Sequence, residues 1–220
     1  MIAPRNRRRA AALALSVCAV LLPASASATT TPDPAGGPAP DSASATGAAG
    51  ATEAVPADSD CPSVTDPLFA AADHSVDADR ISPTPSWRTD CKQLYRAESR
   101  PPEIVFEQGF LPKAPVDGQY DVAQHVLAGQ DSPYVSTSYD HDLYKQGATH
   151  TFNYYIDAPG GIDVNRTIGA THKAAHREEV AFPGGVSREL IVGACPVDKA
   201  RKTETMAECQ DNPHYKPWRG

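Results

Sequence analysis

Arg96 and Arg100 bracket Glu98 in the stretch LYRAESRPP, immediately before a Pro-Pro step. An arginine stays charged at any working pH and offers forked donors matched to carboxylate or phosphate oxygens. Three further groups of residues could do chemistry: His125 in VAQHVLA, the hydroxyl run Ser136, Thr137 and Ser138 in YVSTS, and the triplet Arg177, Glu178 and Glu179 in REEVAF. A carboxylate is worth most to a reaction when positive charge develops beside it in the transition state, and a histidine can move a proton near neutral pH. Taken singly, each motif has a plainer reading as a surface ion pair, a solvated carboxylate, a packed histidine or an ordinary strand. No Ser-His-Asp arrangement is evident, so the hydroxyls are read as orienting groups and not as nucleophiles.

For these groups to act together, the chain must bring them from distant positions to one place. Residues 92–97 read as a short strand. Pro101 and Pro102 open a helix of one or two turns over EIVFEQ, which Gly109 stops. Asp121 can cap VAQHVLA, with Val122 and Val126 on a shared face and Gly129 as the stop. YVSTS has high β-propensity, and YDHDLYKQ reads as a helix ended by Gly147. THTFNYYID, REEVAF and RELIVGA follow as β-rich runs separated by Gly and Pro turns. Helices in the first half and strands in the second predict an α+β fold of antiparallel character. On a strand, Glu178 and Glu179 point to opposite faces, so only one of them can enter a given site.

The first 28 residues read as a secretory signal peptide, with a basic start, the apolar run AAALALSVCAVLL and the small-residue stretch ASASA. No other apolar stretch approaches membrane-spanning length, so no membrane insertion is expected and the mature protein is read as secreted. The formal charge is −7, and losing the leader's four arginines takes it to −11. That sign disfavours nucleic acid and anionic lipid as partners. Residues 29–58 hold no aromatic residue and one valine, too little apolar area to offset the entropy of ordering, and read as a disordered tether. Residues 59–220 remain as one catalytic domain. Of its cysteines, Cys61 is expected to pair with Cys91 and Cys195 with Cys209, each bridge pinning a terminal loop. No cysteine or histidine spacing fits a metal, and none is expected.

The order YR, SRPP, YVSTS and a Glu-Val step before PGGV resembles the enzymatic subunits of the cholera, heat-labile and pertussis toxin family, mono-ADP-ribosyltransferases that consume NAD. The resemblance covers roughly residues 91 to 194. The cysteine frame and the tail ECQDNPHY are similar to the Scabin branch, secreted actinobacterial relatives that modify guanine in DNA. The resemblance implies two small, mainly antiparallel sheets flanked by short helices around a central NAD cleft. It implies that Arg96 holds the NAD pyrophosphate, with Glu98 and Arg100 steadying the turn behind it. It implies further that Ser136, Thr137 and Ser138 shape the nicotinamide pocket, that His125 contacts the ribose, and that Glu179, held by Ser136, stabilises the electron-poor sugar as nicotinamide leaves.

One departure concerns the acceptor. Family members place Gln or Glu two residues before the catalytic Glu, and this chain has Arg177 there, with Glu178 between them. A cation at that position repels an arginine target and favours an acidic, phosphate-bearing or neutral acceptor, or water. Protein, guanine in DNA and water therefore stand open as acceptors, as does a non-catalytic binding module. A basic groove beside Arg177 would favour nucleic acid against the overall charge. Whether a separate delivery subunit exists is not legible in the sequence.

Overall fold

A computed structural model describes residues 61–147 and 149–219; the leader read at residues 1–28 and the tether read at 29–58 lie outside them. Its strands are β1 (Leu94–Glu98), β2 (Tyr134–Ser138), β3 (Phe152–Ile156), β4 (Ile162–Asp163), β5 (Glu179–Pro183), β6 (Ile191–Asp198), β7 (Thr203–Glu204) and β8 (Gln210–Asp211). The α-helices are α1 (Pro102–Gln108), α2 (Val122–Ala128) and α3 (Val164–Ile168). The strands lie in the order β4-β5-β2-β1-β3-β6-β7, with β8 also on β6. Neighbours run antiparallel throughout.

The α+β, antiparallel fold that the resemblance implied is present, its two sheets joined at one point into a continuous strand path. The two lobes meet through a single register pair, Tyr95 with Ser138, whereas β2 and β5 share five pairs from Tyr134–Pro183 to Ser138–Glu179. The sheet is thus open at the β1–β2 junction, where Arg96 and Ser136 come together. Strand alternation sends Val180 and Phe182 into one core cluster with Leu94, Phe110 and Tyr154. Ala181 packs on the other face in a second cluster with Tyr120, Val122 and Tyr134.

Local chemistry sets the helix ends. Pro102 stands at the start of α1, where a missing N–H costs nothing, and Gly109 closes the helix at φ 71°. A side chain at Gly109 would run into the backbone of Val186 and Arg188, because Phe110 and Val186 exchange backbone hydrogen bonds across this contact. The Asp121 carboxylate accepts from Gln124 N and caps α2, and Gly129 ends it in the left-handed region.

YDHDLYKQ forms a 3-10 turn over His141–Gln146 and not the expected α-helix; Asp140 caps it, and the run is too short to repay α-helical nucleation. The expected segregation of helices before strands is also not kept, since β1 and β2 lie among the helices and pair with strands far along the chain. The disulfides join Cys61 to Cys91 and Cys195 to Cys209, as the sequence predicts. Beside β3, Asp157 accepts hydrogen bonds from Tyr215, Trp218 and Arg219, which docks the C-terminal segment. No described helix is long and apolar enough to cross a membrane.

Candidate active site

Where the lobes part, a cleft of about 290 Å³ opens, lined by Arg96, Lys113, His125, Ser136, Arg177 and Glu179 among others. Glu179 begins β5 opposite the end of β2 and is buried, at 7% exposure. Its Oε1 accepts a hydrogen bond of 2.6 Å from the Ser136 hydroxyl. Helix α2 brings His125 over the same pair, with Nε2 at 3.0 Å from Ser136 Oγ and 3.4 Å from Glu179 Oε1. Across the ring, His125 Nδ1 lies 2.7 Å from Ser132 Oγ.

Arg96 reaches the cleft from β1. Its NH1 donates to the Ser136 carbonyl at 2.6 Å and its NH2 to Glu98 Oε2 at 3.0 Å. Arg100 donates to the same carboxylate oxygen at 2.9 Å, and the Ser99 amide donates to the other at 3.0 Å. The Tyr154 hydroxyl holds the Arg100 carbonyl, so the Pro-Pro turn is tied to the sheet. Arg96 Nε is buried without a partner, and each terminal nitrogen keeps an N–H unspent.

Burial by itself would raise the Glu98 carboxyl, but the Arg100 hydrogen bond, the Arg96 charge and the Ser99 amide outweigh it and hold the pKa at about 2. A depressed carboxylate stabilises the fold above its unfolded pKa and loses that contribution as pH falls toward the folded one. With solvent screening on the exposed side discounted, the contribution is on the order of 2 kcal/mol. We predict that the protein loses it between about pH 4.5 and 2. Chemical denaturation across that range checks this, and Glu98→Gln should flatten the slope.

Glu179 follows the same pattern. Desolvation pushes its pKa up, yet hydrogen bonds from His125 and Ser136 and the nearby Arg177 guanidinium bring it below the ordinary value. It is therefore an ionised carboxylate in a poorly solvated place. Burial depresses the Arg96 pKa, with Glu98 opposing, and the guanidinium remains a cation at neutral pH.

The structure brings Arg96, His125, Ser136, Arg177 and Glu179 to one cleft, with Glu98 and Arg100 behind it. It does not bring Thr137 and Ser138 to the cleft wall. Both are buried, because the Thr137 hydroxyl donates to the Val180 carbonyl and the Ser138 hydroxyl to the Arg177 carbonyl. Ser138 thereby fixes the turn that carries Arg177. Glu178 is likewise turned away. It takes φ 45°, precedes β5, and lines a separate hollow with Asp90, Lys92 and Tyr139. Arg177 is exposed, and its side chain makes no hydrogen bond among the described residues.

Among the cleft residues not singled out in the sequence are Ser132 and Lys113. Ser132 lies in the loop after α2, and Lys113 follows α1; neither sits in a local pattern, because tertiary packing alone places them. Among the described residues no group of His, Cys, Asp or Glu is placed to hold a metal ion.

An open antiparallel sheet whose cleft holds a buried glutamate and a strand-borne arginine is the arrangement that the resemblance to the toxin-type mono-ADP-ribosyltransferases implied. A Scabin-like family model matches residues 94–215, and the chain belongs to the Scabin-like family. It is 61% identical over 158 residues to a guanine-specific ADP-ribosyl transferase of Streptomyces coelicolor, covering 72% of this chain and 78% of that protein. Pierisin of Pieris brassicae is 30% identical over 127 residues, 52% of this chain but 15% of that one. Scabin toxin from Streptomyces scabies, solved in complex with NADH, matches with a TM-score of 0.71 at 61% identity over 72% of this chain and 96% of that one.

Proposed function

We propose that the protein is exported, cleaves the nicotinamide–ribose bond of NAD at Glu179, and transfers ADP-ribose to guanine. The observation that carries this reading is the 2.6 Å bond from Ser136 to Glu179 in the cleft that Arg96 enters. In this reading the unspent donors of Arg96 take the pyrophosphate, which anchors NAD with its nicotinamide ribose toward Glu179. Ser136 occupies Oε1, leaving Oε2 for a ribose hydroxyl. As the glycosidic bond breaks, its electron pair leaves with nicotinamide and positive charge spreads over the sugar. A desolvated, ionised carboxylate stabilises that charge more than one in water would. A guanine nitrogen then bonds to the anomeric carbon and releases a proton.

Guanine is favoured by the relative that carries it in its name and by Arg177. A guanidinium fork matches the O6 and N7 acceptors of that base, and a cation can recognise it where it would repel an arginine substrate. Arg96, Lys113 and Arg177 line the cleft beside Glu179, with Arg96 paired to Glu98 and Lys113 to Asp131. Of these cations only Arg177 makes no side-chain ion pair among the described residues, and its free charge supports a nucleic-acid acceptor.

The test is incubation of the purified protein with NAD labelled in the ADP-ribose moiety, against duplex DNA, single-stranded DNA, guanine nucleotides and cell protein in parallel. Label should appear on guanine-containing nucleic acid or nucleotide and be absent from DNA lacking guanine. Label found only as free ADP-ribose would make the protein an NAD glycohydrolase, label on protein would move the acceptor, and no nicotinamide release would leave a binding module.

A further inference from the structure

We infer that Ser132 is a positioning residue that fixes His125 in one tautomer and, through it, locks the carboxylate of Glu179. The inference rests on the reading of Glu179 given above. It follows from counting protons along one chain of contacts. Ionised Glu179 can only accept, so the 2.6 Å contact spends the single hydroxyl proton of Ser136. Ser136 Oγ must then accept from His125 Nε2, 3.0 Å away, which requires the proton on Nε2. In the neutral ring Nδ1 is bare, and Ser132 Oγ, at 2.7 Å, donates to it. The hydrogen bonds therefore run in one direction, from Ser132 to His125 to Ser136 to Glu179.

The other tautomer breaks this order. With the proton on Nδ1, the Nε2 lone pair would face Ser136 Oγ and, at 3.4 Å, the Glu179 carboxylate, with no proton between them. Ser136 would have to turn its hydroxyl from Glu179 to His125, and Oε1 would lose its restraint. Ser132 can prevent this because it is itself fixed. It is 3% exposed, its carbonyl accepts from Ala114 N at 3.2 Å, and its hydroxyl oxygen accepts from Tyr134 N at 3.4 Å, which leaves the hydroxyl proton for His125.

The test combines ring-nitrogen NMR of 15N-labelled protein with kinetics of nicotinamide release, on the wild type and on Ser132→Ala. In the wild type the neutral ring of His125 should be protonated at Nε2 and bare at Nδ1. Ser132→Ala should show a mixture of ring forms, with kcat lowered about tenfold, the loss expected for one well-placed hydrogen bond, and KM for NAD little changed. A wild-type proton on Nδ1 overturns the inference before any variant is made. So does a folded Ser132→Ala protein that keeps the single Nε2–H form or full kcat. A wild type that releases no nicotinamide overturns the reading of Glu179 instead, and the ring-nitrogen shifts still decide what Ser132 does.

Discussion

Replacing Glu179 with glutamine should lower kcat for nicotinamide release by about 10³-fold while leaving NAD affinity within about twofold. The amide is nearly isosteric, so Ser136 keeps an acceptor at the carbonyl oxygen and the cleft keeps its shape. What disappears is the negative charge. In the ground state the positive charge lies on the nicotinamide ring; in the transition state it moves onto the sugar, beside a carboxylate at 7% exposure, where the negative charge is worth most. Calorimetry with NAD alongside a nicotinamide-release assay separates the two quantities. Undiminished turnover in the variant would remove Glu179 from its role, and a parallel loss of affinity would make it a binding group.

Arg96→Lys should have the opposite signature, with KM for NAD raised roughly 10- to 100-fold and the rate from bound substrate affected less. The guanidinium does three things at once that an ammonium cannot: it donates to the Ser136 carbonyl, donates to Glu98, and keeps further N–H bonds for a ligand. A lysine that satisfies Glu98 gives up the fork that matches phosphate. Steady-state kinetics with NAD as the varied substrate measures the split. A variant with normal KM and depressed kcat would place the pyrophosphate elsewhere in the cleft.

Much of this machinery was legible in the chain because it rests on local chemistry. Asp121 and Gly129 delimit α2 through a cap and a left-handed turn, which puts His125 on a defined helix, and the proline pair sets the start of α1. Two disulfides could be expected from an even cysteine count, but four cysteines allow three pairings, and the folded chain holds the favoured one. The YVSTS strand was equally plain, but which of its hydroxyls face the cleft was not. That depends on the register with β5, where Ser136 stands opposite Ala181 and Ser138 opposite Glu179. Thr137 and Ser138 spend their hydroxyls on carbonyls that only pairing supplies. Ser132 carried no signal at all, since its meaning arises from a loop folding back against His125. The short strands β4, β7 and β8, two residues each, lie below the length at which alternation can be read.

The most direct test is a crystal structure of the Glu179→Gln variant with NAD bound, since that protein should bind without consuming the dinucleotide. The account predicts the pyrophosphate against the Arg96 guanidinium and a nicotinamide-ribose hydroxyl at roughly 3 Å from the side chain at position 179. NAD seated in the hollow beside Glu178, or lying in the cleft with its nicotinamide ribose away from β5, would contradict it.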